Sequence, residues 1–327
     1  MQQTLTFHPI KKIIIPQRDN IYSSFPTFTE YDNKIFIFFR QAIKNKKQCH
    51  GIKGKVKCFE IEKELFLNCF DDKESETLYS LGNESVVFEE GNEFDAIVSR
   101  LDNNIFSLAT RYYVKKIMST FISFSDSPVF KDRIEVKIKG IDWLAFYGKA
   151  FKSEQGYIFP AYGQFAGETV ERPLVIITDD FRHFELLSSL PSNIDGPVLN
   201  ESSIVYDGTK YMILMREETF PMGIWFSTSV DLYKWDGFER FLSFAHAPMA
   251  IYLNNDLYLT FRDLISTNKT GISLVSTSNS YKTLIDIYEG SPLDGGYSDI
   301  GIIDGNLFVV YYIGNKQGEP YIKCSKL

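Results

Sequence analysis

One hairpin pattern recurs six times along the chain and restricts the fold more than any other feature. Its clearest copy, "ESSIVYDGTKYMILMR", runs from Glu201 to Arg216, with apolar residues alternating on both sides of an Asp-Gly turn. That is the signature of two antiparallel strands joined tightly. Related segments run from Phe25 to Arg40, Glu84 to Arg100, Tyr147 to Tyr162, Ala247 to Arg262 and Tyr297 to Tyr312, each with a turn signal at its centre. Successive copies begin about 45 to 65 residues apart, close to the length of a four-stranded propeller blade. The expectation is an all-β fold: a six-bladed β-propeller occupying residues 1–327 as a single domain.

The segments between the copies read as the outer strands of each blade. Several hold a shared turn: Ser229, Asp231 and Trp235 in "SVDLYKW", Thr178, Asp180 and Phe184 in "TDDFRHF", and Asn279 in "SNSYKT". A hydroxyl residue, then Asp or Asn, then an aromatic suits a turn tied by side-chain oxygens, with the ring packed below. These turns are read as structural punctuation without chemistry. After the last hairpin only "GEPYIKCSKL" remains, one strand's worth, so a strand from the N-terminal "LTFHPIKKIII" is expected to complete the last blade.

Composition narrows the function classes. A formal net charge of −7 argues against nucleic-acid binding and fits a soluble protein. No apolar run approaches membrane-spanning length, and no secretory leader is recognised, so the expected location is cytoplasmic. Four cysteines (Cys49, Cys58, Cys69, Cys324) lack metal-site spacing and read as reduced thiols; no metal and no cofactor is implied. The stretch Lys44 to Lys57 carries six lysines, either a solvated loop or an anion-attracting rim.

In a propeller the inner hairpin of each blade begins and ends at one rim. Arg40, Arg100, Arg216 and Arg262 close four copies, Glu84 and Glu201 open two, and Tyr147 and Tyr297 open two more. Gathering four guanidinium groups demands compensation by carboxylates or by an anionic ligand, to which arginine offers a bidentate fork. The expected ligand is a carboxylate, phosphate or sulfate; the alternative is that each arginine merely ties its strand to a neighbouring blade.

These segments resemble the sialidase (neuraminidase) superfamily, six-bladed propellers with Asp-box turns. "NESSIVYDGTKYMILMR" resembles the segment that carries a glutamate and, fifteen residues on, an arginine of the carboxylate-binding triad; "DGGYSDIGIIDGNLFVVYY" resembles the segment that presents a nucleophilic tyrosine. The resemblance implies Tyr297 as nucleophile, Glu201 as its base, and Arg216 and Arg262 as two carboxylate ligands. A neutral tyrosine suits an anomeric carbon that bears a carboxylate, because an anionic nucleophile would be repelled. A phenol with a pKa near 10 in turn needs a base beside it.

The pattern departs from the family at three places, one being that the turns "SVDLYKW" and "TDDFRHF" are one residue shorter between Asp and aromatic than the usual Asp box. Ser24 stands where the family has a first-blade arginine, a role Arg40 or Arg100 could take over. The loop "QAIKNKKQCHGIKGK" has no aspartate to serve as acid, and His50 is the residue there that titrates near neutrality. Three readings stay open: a retaining exo-glycosidase acting on a terminal sialic or other ulosonic acid, a same-fold hydrolase of another acidic glycan, or a non-catalytic propeller that binds an anionic glycan or a protein partner. The sugar, its linkage and the oligomeric state are not encoded in these motifs.

Overall fold

A computed structural model describes residues 8–72, 74–114, 117–191, 196–278, 282–290, 295–315 and 317–327. Asn279, assigned above to a turn, lies outside the described residues. The architecture is that of a six-bladed β-propeller, each blade an antiparallel meander of at least four strands. Blade 1 comprises Ile21–Tyr31, Lys34–Ile43, Ile52–Glu62 and Asn83–Phe88; blade 2 comprises Asn92–Asp102, Ile105–Val114, Ile117–Ser125 and Ile134–Glu135. Blade 3 has Ile141–Phe146, Gly156–Phe165, Arg172–Thr178 and Glu185–Ser189, with Phe151–Ser153 as an extra strand. Blade 4 has Leu199–Tyr206, Tyr211–Glu217, Gly223–Ser229 and Asp236–Ser243, and blade 5 has Ala245–Leu253, Asp256–Ser266, Lys269–Ser276 and Thr283–Glu289. Blade 6 joins Ser298–Ile303, Asn306–Ile313 and Tyr321–Lys326 to Ile10–Ile15, which pairs antiparallel with Tyr321–Lys326.

The chain divides into two compact units, residues 1–96 with 251–327, and residues 97–250. The first is centred on Ile14, Ile37, Phe39, Phe59, Phe308 and Tyr312, all fully buried. In the second, one apolar cluster surrounds Leu144, Phe159 and Leu174, and another surrounds Ile158, Leu199, Ile213 and Leu232. Alternation at period two supplies both faces of each strand to these clusters.

The hydroxyl–Asp–aromatic turns form as the sequence suggests. In the turn after Gly223–Ser229, the Asp231 carboxylate accepts the backbone N–H groups of Tyr233 (2.9 Å) and Lys234 (3.0 Å), and the Ser229 hydroxyl accepts that of Leu232 (2.9 Å). The Trp235 ring packs on the blade and its indole N–H donates to the Ser188 hydroxyl at 3.1 Å. Three of the thiols, Cys58, Cys69 and Cys324, are buried and Cys49 is exposed, all reduced; burial pushes the Cys324 thiol well up.

One element is added to the strands, and one expectation needs correction. The chain contains a helix, Lys63–Asp71, between the third and fourth strands of blade 1. It is short, and only Phe66, Cys69 and Phe70 face the core at helical spacing, too brief a period to stand out in a strand-dominated sequence. The segment Glu84 to Arg100 is not an inner hairpin. Its "EGN" turn links the last strand of blade 1 to the first strand of blade 2, and the inner hairpin of blade 2 turns at Asn103–Asn104 instead. Alternating apolar residues around a glycine turn look the same within a blade and between blades.

Candidate functional site

The corrected register changes which side chains stand at comparable positions. Arg40, Arg262 and Tyr312 each lie seven residues past the second residue of a hairpin turn, and in blade 2 that position belongs to Arg111. Arg100 sits beside the turn at the other end of its strand, exposed, with its guanidinium donating to the Asn103 carbonyl at 3.0 Å. Glu84 lies on the outermost strand of blade 1, where Arg18 (3.0 Å) and Lys57 hold it. Burial pulls that carboxyl upward, but the two cations outweigh it and keep it below the usual range. Arg111, half-buried, donates to the Met118 sulfur at 3.5 Å; counting back from the "NN" turn would have found it.

The first strands share a second feature. Phe25, Asp95, Gly148, Ala247 and Gly296 all adopt left-handed backbone near the start of the inner hairpin. In blade 1 this coincides with a register shift between Ser24 and Thr27. Such bulges re-aim side chains at sheet ends, and strained backbone of this kind clusters at functional sites.

Within the first unit, His50, Tyr297 and Arg262 are brought together around an aromatic group. The Phe25 ring meets His50, Tyr297 and Tyr312 at centroid distances of 5.1, 5.1 and 5.3 Å, each steeply inclined to it. Tyr297 stacks on Tyr312 at 6.2 Å. The Arg262 guanidinium carbon lies 4.8 Å from the centre of the Tyr297 ring, and its Nε donates to the Gly295 carbonyl at 2.8 Å. Arg262 is almost wholly buried. Gly296 makes this approach possible: its φ is 99°, and a Cβ there would stand 2.5 Å from Arg262 Cγ. The Tyr22 hydroxyl is 2.8 Å from His50 Nδ1.

Arg40 is used differently from the expectation of an anion ligand. It is fully buried, and its guanidinium donates to the carbonyls of Glu93, His50 and Gly51 and to the Asn92 side-chain oxygen. Its plane lies over the Phe94 ring at 4.3 Å. Ser24 is also fully buried.

Within the second unit, Glu201 and Arg216 meet. The guanidinium donates to Glu201 at 2.6 Å and also contacts Glu218, and both members of the Glu201–Arg216 pair are largely buried. Asn200 extends the cluster, its amide donating to Glu171 (2.8 Å) and Glu218 (2.9 Å), while its oxygen accepts the Glu201 backbone N–H at 2.8 Å. Burial, assisted by Glu218 and Glu201, pushes the Glu171 carboxyl up. Burial also opposes ionisation of Glu218, but Arg216 and Asn200 outweigh it and leave that carboxyl lowered. Tyr147 is buried just after Ile141–Phe146 of blade 3, its backbone N–H bonded to the Pro160 carbonyl at 3.0 Å. Among the described residues, no group of three or more His, Cys, Asp or Glu side chains is arranged to hold a metal ion, and no helix is long and apolar enough to cross a membrane.

No family model and no curated protein matches the sequence. Solved structures do match. The sialidase of Trypanosoma rangeli in complex with 2,3-difluoro-KDN superposes with a TM-score of 0.67 at 10% identity, over 98% of this chain and 57% of that one. The same enzyme in complex with sialic acid gives 0.65 at 11% identity, over 98% and 58%. A protein described as a glycoside hydrolase gives 0.51 at 12% identity, over 84% of this chain and 92% of its own. The chain thus spans less than two thirds of the length of the sialidases it matches. At these identities the likeness speaks for the fold, and the fold of this chain is that of the sialidase-like six-bladed propellers.

Proposed function

We propose that the chain is a retaining exo-glycosidase that releases a terminal acidic sugar of the sialic-acid or other ulosonic-acid type. The observation that carries this reading is the setting of Tyr297, a tyrosine with a buried guanidinium 4.8 Å from its ring, on the segment where the resemblance puts the nucleophile. A phenol that attacks an anomeric carbon develops negative charge on its oxygen, and a fixed cation beside the ring offsets that charge without moving. In the first step the Tyr297 oxygen bonds to the anomeric carbon while the bond to the aglycone oxygen breaks and His50 donates a proton to that oxygen. In the second, water replaces the tyrosine and returns a proton to His50. By the resemblance, Glu201 is the base that takes the phenol proton in the first step and returns it to the departing tyrosine oxygen in the second. The same resemblance assigns Arg262 and Arg216 each to the sugar carboxylate, to which arginine offers a bidentate fork. The partner is an acidic glycan or glycoconjugate.

A panel of fluorogenic ulosonides, uronides and neutral glycosides tests this. Release confined to ulosonides is expected, and Tyr297→Phe should lower turnover by about a thousandfold or more while affinity changes little. Wild-type turnover in Tyr297→Phe would overturn the mechanism. Arg216→Ala should first weaken affinity, by about 2–4 kcal/mol or roughly thirty- to a thousandfold, through loss of a charge-assisted contact.

One observation favours the alternative of a different acidic glycan, or of binding without turnover. Arg216 already contacts two carboxylates, with Glu171 close by. A ligand meeting that cluster with hydroxyl groups would be better matched than one meeting it with a carboxylate. Release of a uronide, or tight binding of an acidic glycan with no hydrolysis, would select this alternative.

A further inference from the structure

Resting on the reading of His50 as the proton donor, we propose that Tyr22 is a positioning residue that occupies His50 Nδ1, so that Nε2 is the nitrogen that gives the proton to the leaving oxygen and takes one back from water. Arg40 is the clamp that holds the backbone carrying this ring.

Three observations carry the proposal. Tyr22 is a core residue of the first strand of blade 1, only 3% exposed, and its hydroxyl stands 2.8 Å from His50 Nδ1 with the rings edge to face at 5.6 Å. A phenol fixed by its strand holds the plane of the ring, and its oxygen can accept from Nδ1–H, the direction the proposal requires. The backbone at His50 and Gly51 is left-handed twice in succession, with φ of 66° and 74°. That conformation is natural to Gly51 but disfavoured for His50, and Arg40 holds it, its guanidinium taking the carbonyls of both residues. A histidine that merely filled a loop would not need two buried side chains to fix it. Finally, the Phe25 ring meets both His50 and Tyr297 at a centroid distance of 5.1 Å, so the two ring centres lie no further apart than twice that distance. Proton donor and nucleophile thus share one aromatic support.

Among the described residues, these groups stand near the imidazole. The first strand of blade 1 brings the Tyr22 hydroxyl and Phe25, and the second brings the Arg40 guanidinium against the backbone carbonyl. Beyond Phe25 stand Tyr297 and Tyr312. The histidine's own loop brings Cys49, Lys46 and Lys47, all exposed, and Lys44, which lies 3.7 Å from Glu319. In the imidazolium, Nδ1–H donates to the Tyr22 oxygen and the Nε2 proton is the one transferred. Afterwards the neutral ring keeps its hydrogen on Nδ1.

The chain has four histidines, so their imidazole nitrogens can be followed individually by NMR, with His50 assigned by its loss in His50→Gln. The expected result is a neutral His50 dominated by the Nδ1–H tautomer, the minor form of an unrestrained imidazole. Tyr22→Phe should shift the ring toward the Nε2–H form and lower its titration midpoint by about one unit, because the cation loses its acceptor. A His50 with the Nε2–H form dominant, or unchanged by Tyr22→Phe, overturns the proposal. This arm needs no substrate, so it decides the dyad even if the glycoside panel shows no turnover and the proposed function falls. Where a substrate is found, Tyr22→Phe should lower kcat about ten- to a hundredfold with KM little changed, and move the alkaline limb of the pH profile down by about the same unit. An unmoved limb would show that Tyr22 serves structure alone.

Discussion

Arg40 and Arg216 close equivalent hairpins, yet they do different work. Arg40 is wholly buried and bonded to backbone carbonyls, with an aromatic ring against its face. Arg216 keeps part of its surface and is bonded to the carboxylates of Glu201 and Glu218. A guanidinium that satisfies carbonyls fixes the path of the chain, because those oxygens would otherwise be buried without donors. One that balances carboxylates fixes charge, and a ligand can change that balance. Register in a repeat therefore places a side chain without deciding its role.

Removing the clamp should have the largest effect. Arg40→Ala strands several carbonyls and is expected to cost about 3–5 kcal/mol of stability, read by calorimetric unfolding. Arg40→Lys should recover only part, since an ammonium cannot reproduce the planar fork. A loss below about 1 kcal/mol would place Arg40 with Arg216, as a charge whose neighbours reorganise.

The next effect tests whether Arg262 belongs with the fixed or the adjustable kind. Gly296→Ala puts a Cβ against Arg262 on left-handed backbone and should cost about 1–3 kcal/mol. It should also raise KM for any acidic substrate by displacing the guanidinium. Destabilisation with KM unmoved would separate Arg262 from ligand binding.

The smallest effect probes the charge cluster through pH. Because its folded-state pKa is raised, Glu171 contributes stability that is fully present below the ordinary carboxylate range and is lost as pH rises through the folded value. Glu171→Gln removes that loss. The variant should melt about 1–3 °C higher than the parent near neutral pH and show no advantage near pH 4. An advantage at both pH values would mean that packing, and not ionisation, accounts for the gain.

Much of the fold was legible because period-two alternation and turn residues are local signals. "DG" at Asp207–Gly208 and "DN" at Asp32–Asn33 announce their hairpins without reference to anything distant. The second hairpin was misread because "EGN" is an equally good turn, and only strand pairing tells a link between blades from a turn within one. That slip put Arg100 in place of Arg111 and gave Glu84 a rim position it does not have. The pairing of Glu201 with Arg216 follows from their symmetric places about a turn. The dyad of Tyr22 with His50 does not, since a 28-residue separation carries no periodic signal, and a histidine in a lysine-rich loop looks solvated. Nor does the sequence reveal that Arg40 is consumed by carbonyls, which depends on a loop path that no side-chain pattern encodes.

The antiparallel pairing of Ile10–Ile15 with Tyr321–Lys326 sets a schedule for synthesis. Roughly 300 residues must be translated after Ile15 before its partner strand exists, which at about 5–20 residues per second takes some fifteen to sixty seconds. Throughout that interval an apolar strand with unsatisfied edge groups stands open to other chains, the condition that favours aggregation and the attention of chaperones. Lys11 and Lys12, within that strand, place two positive charges on the segment that waits longest, a feature that discourages strand-to-strand association in the nascent chain.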